Sequence, residues 1–252
     1  MAFIKLNFFS EALGMQTEVN VVIPQRSALG EIGIENKATA EKYKCLYLLH
    51  GLSDDHTIWM RRTSIERYAS NYGICVVMPC GAKSFYSDMK YGMNYYTYIA
   101  KELPRVIRDF FNVSDKREDN FIAGLSMGGY GALKIALREC DSFCAGAGLS
   151  PCGDVKSIGF EAEMRPIFGD ELIVPDEDDL LWLADAKKDH PNKPRLFIGI
   201  GTNDFLYENV QCLRHKLTEN GYDFTYREGP GAHEWGFWDE YIRHALWWMF
   251  NN

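Results

Sequence analysis

Five short apolar runs, Cys45–Leu49, Ile74–Met78, Phe121–Leu125, Ala145–Leu149 and Leu196–Ile200, are spaced along the chain. None alternates with polar residues, which is the pattern of strands buried on both faces. Upstream, Thr17 to Ile23 partly alternates and stops at Pro24, so it reads as an early edge strand. The polar, Gly-containing stretch from Ser27 to Lys42 reads as a connection. Helical periods fall between the runs. Thr63-Ser-Ile-Glu66 has capping-box form and Gly73 closes that helix. Tyr95–Phe111 holds Pro104 and should kink or break there. Gly129–Glu139, Glu208–Asn220 and the aromatic-rich Trp235–Phe250 continue the alternation, with strand-like Phe224–Arg227 before the last.

This alternation predicts an α/β chain with a mostly parallel central sheet and helices on both faces. Ligand chemistry then belongs at the carboxyl ends of the strands. Residues 152–194 break the rhythm. They contain the acidic run Asp176-Glu-Asp-Asp179 and apolar anchors at Phe160, Met164, Ile167, Phe168, Leu180 and Trp182. The expectation is one domain over 1–252 with a small cap-like insertion at about 152–194. The acidic run and Asp185 read as a solvated face.

The 252 residues are 46% hydrophobic and 25% charged, a globular composition with enough chain for one sizeable core. No apolar run reaches the ~18 residues needed to cross a bilayer, and the N-terminus has no secretory-signal pattern, so a cytoplasmic location is expected. A formal charge of −8 without clustered Lys or Arg argues against nucleic-acid or anionic-membrane partners. The seven cysteines are odd in number and several lie in apolar strands, which favours reduced thiols over a disulfide framework.

The most specific chemical signal is Gly124-Leu-Ser126-Met-Gly128, which follows a strand and opens a helix of good formers. A nucleophile on so tight a turn needs residues without side chains two before and two after it. The turn also places Ser126 at a helix N-terminus, where free N–H groups favour a developing anion. In this strand–turn–helix arrangement the acid and then the base follow the serine in sequence. Of His190, His215, His233 and His244, only His233 lies on a loop after a late strand. His215 and His244 sit in amphipathic helices, and His190 precedes a strand. Asp204 ends the apolar strand before it and would hold the His233 tautomer. The two oxyanion N–H donors expected are Met127, directly after the nucleophile, and Leu52, in His50-Gly51-Leu52-Ser53 after the third strand. His50 to His56 holds two histidines and two aspartates, but it lacks the paired helical spacing of a metal site, so no metal and no cofactor are expected. Trp59, Phe85, Tyr86, Tyr91 and Trp235 are the candidate pocket walls.

Taken together, His50-Gly-Leu, Ser84-Phe-Tyr-Ser-Asp-Met, Tyr98-Ile-Ala-Lys-Glu-Leu-Pro104, Gly124-Leu-Ser-Met-Gly-Gly-Tyr-Gly-Ala132, Gly201-Thr-Asn-Asp204 and Gly231-Ala-His-Glu-Trp235 resemble the esterase D-like group. That group of α/β-hydrolases includes S-formylglutathione hydrolases, tributyrin esterases and the feruloyl and acetyl-xylan esterases of carbohydrate esterase family one. The resemblance implies Ser126, Asp204 and His233 as triad, and Leu52 and Met127 as oxyanion donors. It further implies a cap from Cys152 onward and hydrolysis of short-chain, acetyl or hydroxycinnamoyl esters through an acyl-enzyme. The segment after Pro79 is shorter than the extended loop of formylglutathione hydrolases, which places that thioester second. Acyl transfer to another alcohol uses the same residues. The partner expected is a small-molecule or saccharide-linked ester, and a homodimer stays open.

Overall fold

The computed structural model describes residues 1–26, 32–33 and 41–251. Of the connection expected over 27–42, only 32–33 and 41–42 fall within the described residues.

In chain order the elements are β1 (Ala2–Ser10), β2 (Met15–Ile23), β3 (Cys45–Leu49), α1 (Ile58–Arg62), α2 (Ile65–Tyr72) and β4 (Cys75–Pro79). A π-helical stretch, Thr97–Glu102, then runs into α3 (Leu103–Phe110), followed by β5 (Asn120–Leu125), α4 (Met127–Arg138) and β6 (Ala145–Leu149). Next come α5 (Glu161–Phe168), α6 (Leu180–Ala186), β7 (Arg195–Gly201), α7 (Tyr207–Glu219), β8 (Phe224–Gly229) and α8 (Trp235–Phe250). The strands form one eight-stranded sheet in the order β1-β2-β4-β3-β5-β6-β7-β8. The β1–β2 and β2–β4 pairs are antiparallel, and every other pair is parallel.

The apolar runs occupy the sheet's centre because both of their faces are covered. Tyr47 and Leu49 of β3 face a core shared with α3, α4, α6 and α7, whereas Leu46 and Leu48 face one built with α2 and α8. Burying each such side chain contributes ~1.5–3 kcal/mol, so the two-sided strands anchor the fold.

Several local expectations change. β2 is not an edge strand, because β1 flanks it. The edge belongs to β1, whose half-buried Ala2, Ile4, Leu6 and Phe8 alternate with exposed Phe3, Lys5, Asn7 and Phe9. The helix at residue 65 takes Ser64, not Thr63, as N-cap, and no side chain caps it by a capping-box bond; Thr63 Oγ1 instead accepts the Ile65 N–H at 3.1 Å. Gly73 does close it, at φ 63°. Pro104 lies in the first turn of α3, just after the helix changes from π to α; Glu102 and Leu103 keep αR backbone there, so the helix is not broken.

Between β6 and β7, Met164, Ile167, Phe168 and Leu180 are buried in the first core, while Trp182 is exposed rather than an anchor. Only half of the acidic run is a solvated face, Asp176 and Glu177 being exposed. Asp178 and Asp179 are both buried. Asp179 caps α6, its Oδ1 accepting the Leu181 N–H at 2.8 Å, and Asp178 Oδ1 meets Lys134 Nζ at 2.6 Å. Asp185 does lie exposed. All seven cysteines are free thiols. No described helix is long and apolar enough to cross a membrane.

Candidate active site

The turn from β5 into α4 is a strained one. Ser126 sits at φ 54°, ψ −120°, a region that side chains avoid, and its N–H donates to Leu149 O at 2.8 Å, tying the turn to β6. Glycine is forced on both sides. A Cβ at Gly124 would lie 2.3 Å from Gly128 O, and one at Gly128 would lie 2.5 Å from His50 O. Met127 opens α4, so its N–H belongs to a first turn that has no intrahelical acceptor.

At the same edge, β7 and β8 each deliver one partner. Thr202 N–H donates to Gly229 O and Asn203 N–H to Gly231 O, both at 2.9 Å, so the loops carrying Asp204 and His233 are stitched together. His233 Nδ1 lies 3.0 Å from both Asp204 oxygens, and its Nε2 lies 2.9 Å from Ser126 Oγ. A buried carboxylate only accepts, so the proton sits on Nδ1 and the Nε2 lone pair faces the serine hydroxyl. Asp204 Oδ1 also accepts the Leu206 N–H at 2.9 Å, which fixes the carboxylate plane.

A cavity of about 250 Å³ opens on Ser126 and His233, with Asp204 buried behind them. Leu52, Met127, Phe85 and Trp235 line it, as do Ser126 and His233. Three candidate walls do not. Trp59 is buried one layer behind, its indole N–H donating to Leu49 O at 3.0 Å and its ring edge-on to Trp235 at 5.3 Å. Tyr86 is wholly buried and donates its hydroxyl to His50 O at 2.9 Å, which supports the loop of Leu52 from beneath. Tyr91 is 59% exposed and lies outside the cavity, its N–H held by Pro166 O. Among the wall residues that sequence reasoning missed are Asp54, Cys152, Ile158, Phe160, Phe205, Leu206 and Trp238. Phe205 and Trp238 pack on the His233 ring at 4.5 and 4.9 Å. The position of Phe205, directly after Asp204, was the one local signal for these.

Two buried groups hold the walls. His50 Nε2 accepts the Gly81 N–H at 2.8 Å and its Nδ1–H donates to Gly51 O at 2.7 Å, so both ring nitrogens are engaged and neither is free to bind a metal. Among the described residues no cluster suited to a metal ion occurs. Lys134, read from sequence only as a helix former, is fully buried and donates to Phe85 O, Ser87 Oγ and Asp178 Oδ1 at 3.0, 2.6 and 2.6 Å. It secures a turn in which Phe85 and Tyr86 both adopt positive φ, at 48° and 52°, and ties that turn to the residues before α6. Burial pushes the Lys134 ammonium down to about 8, against the pull of Asp178.

The His50 geometry has a pH consequence. Burial holds its imidazole below the ordinary 6.5. The unfolded chain therefore takes up a proton near pH 6.5 that the folded protein refuses. Stability from this group is complete above pH 6.5 and is lost as pH falls through the lower folded value. We expect thermal melting of the wild type to fall more between pH 7.5 and 5 than that of His50→Asn. Equal drops in the two proteins would remove His50 from the acid response.

The Esterase family model ("Putative esterase") matches residues 10–249. An acetyl esterase of Caldicellulosiruptor saccharolyticus is 31% identical over 263 residues, covering 99% of this chain and 98% of its own. The fluorophosphonate-binding serine hydrolase F (FphF) of Staphylococcus aureus, solved with substrate bound, is 35% identical with a TM-score of 0.89, covering 100% of this chain and 99% of that one. An S-formylglutathione hydrolase (FrmB) of the same organism is 36% identical with a TM-score of 0.87, covering 99% of each chain.

Proposed function

This chain belongs to the Esterase family, and we propose that it is a serine carboxylic ester hydrolase that turns over acetyl and other short acyl esters through an acyl-enzyme on Ser126. The observation that carries this reading is the unbroken hydrogen-bonded series Asp204–His233–Ser126 at the floor of an apolar cavity. Ser126 Oγ attacks the ester carbonyl while its proton passes to His233 Nε2, and Asp204 stabilises the imidazolium. The N–H groups of Leu52 and Met127 receive the negative charge on the tetrahedral oxygen. His233 then hands the proton to the departing alcohol. Water, deprotonated by the same nitrogen, adds to the acyl carbonyl, and the acid leaves as Ser126 regains its proton.

The cavity volume supports a short acyl group. Pockets for drug-sized ligands run to ~300–1,000 Å³, and this one, at about 250 Å³, lies below that range and suits a short acyl chain better than a long one. We read residues 152–194 as a cap, since Cys152, Ile158 and Phe160 from this interval wall the cavity.

A panel of p-nitrophenyl esters from acetate to decanoate, with methyl ferulate, acetylated xylan and S-formylglutathione, tests the reading. We expect kcat/KM to peak between acetyl and butyryl and to fall at least about tenfold by octanoyl, since a longer chain must displace wall side chains to enter and overfilling a packed site costs ~1–3 kcal/mol. A peak at long chains would refute the acyl-size assignment, and a formylglutathione preference would make the thioester the physiological class. Inactivity on every member would refute the hydrolase reading. Adding acceptor alcohols and analysing the products separates hydrolysis from acyl transfer.

A further inference from the structure

Fixed charge around the catalytic cavity is of one sign. Asp54 is the sole carboxylate among the described lining residues, and no Lys or Arg lines it. A Cβ placed at Gly51 would stand 3.0 Å from Asp54 Oδ2 and 3.8 Å from Ser126 Cβ, so carboxylate and nucleophile converge on one point of the loop. The loop holds that arrangement. Asp54 N–H donates to Gly51 O at 3.2 Å, and the same oxygen accepts Nδ1–H of the buried His50.

The rest of the wall is aromatic: Phe85, Phe160, Phe205, Trp235 and Trp238. Phe160 and Phe205 meet edge to face at 6.4 Å, and Phe205 is exposed at the mouth. Aromatic faces attract cations, and a carboxylate attracts them and repels anions. The chain's net charge of −8 adds a field of the same sign. Asp54 is only half-buried, so it meets the part of a substrate that reaches toward solvent. With a short acyl group in the enclosed part, that is the alcohol.

We propose that Asp54 sets a charge preference, so that the best substrates are short acyl esters whose alcohol carries a positive charge, and esters of carboxylate-bearing alcohols are disfavoured. A glutathione thioester, with its two carboxylates, falls on the disfavoured side. This inference rests on the ester hydrolase reading above.

Three acetates of similar size provide the test: acetylcholine, its neutral carbon isostere 3,3-dimethylbutyl acetate, and 3-acetoxypropionate, with acid release followed by pH-stat at pH 7.5 and low ionic strength. For the wild type, kcat/KM should fall in the order cation, neutral, anion, spanning about tenfold or more, and the span should shrink in 0.5 M salt. Asp54→Asn should bring the cation-to-anion ratio close to one. Asp55→Asn removes the same charge from an exposed neighbour that bonds Thr57 and lies outside the cavity, and it should keep the ratio. A wild-type ratio at or below one overturns the proposal, as does an unchanged ratio in Asp54→Asn or an equal change in Asp55→Asn. If Asp54→Asn does not fold, the wild-type order and its salt dependence decide alone. Hydrolysis of the neutral ester without a charge order sinks only this proposal, whereas no hydrolysis of any member sinks the hydrolase reading with it.

Discussion

Ser126→Ala should leave a folded protein whose turnover of p-nitrophenyl acetate is lower by at least about 10⁴-fold, the scale seen when the nucleophile of such a trio is removed. Among the described residues the Ser126 hydroxyl is the hydrogen-bond partner of His233 Nε2, at 2.9 Å. Circular dichroism and melting temperature should change little, since Ala keeps the Cβ and the strained backbone. Ser126→Gly should be as inactive but more stable. At φ 54°, ψ −120° a side chain is costly, and glycine relieves about 1 kcal/mol or more of that strain. Measured by melting, this is a rise of about 2–4 °C for a chain of this length. Turnover in Ser126→Ala within a hundredfold of wild type would mean that another nucleophile does the work. A Gly variant less stable than the Ala variant would show that the turn is not strained in solution.

Asp204→Asn should cost about 10⁴-fold in kcat/KM, and the reason lies in a neighbouring backbone N–H. Leu206 N–H donates to Asp204 Oδ1, so an Asn at this position turns its carbonyl oxygen toward that donor. Its NH₂ group then stands where Oδ2 was, 3.0 Å from His233 Nδ1, and favours the tautomer in which Nδ1 accepts. The imidazole proton moves to Nε2, where it blocks the lone pair that Ser126 needs. Loss of the carboxylate charge also removes stabilisation of the imidazolium. Steady-state kinetics on p-nitrophenyl acetate decides this, and a loss under tenfold would show that Asp204 does not orient the base. A normal melting temperature in the variant assigns the loss to the tautomer and charge at His233 rather than to misfolding.

Much of this site was legible before any coordinates. The elbow declares itself because steric exclusion acts within five residues: Gly124 and Gly128 are required by contacts that the turn makes with itself and with the adjacent loop. His233 and Asp204 could be selected because each follows a strand, and strand ends map to one sheet edge whenever strands run parallel. β1 escaped notice because Phe3 and Phe9 put apolar residues on its exposed face and blurred the period of two. The edge assignment of β2 went wrong with it, since strand order is a matter of pairing partners distant in sequence.

The pocket walls and the buried charges could not be read this way. Trp59, Tyr86 and Trp235 are alike as letters, yet one is packed behind the wall, one lies beneath the oxyanion loop and one lines the cavity. Asp178 has the look of a solvated residue in an acidic run until Lys134, from a different element, arrives at 2.6 Å. Local backbone geometry and hydrophobic period are written within a few residues, which is why the α/β class, the nucleophile turn and the order of its partners follow from the chain alone. Burial, charge pairing and cavity shape arise from residues tens to hundreds of positions apart, so which aromatics and which carboxylate line the cavity were decided by the packing of loops above the sheet.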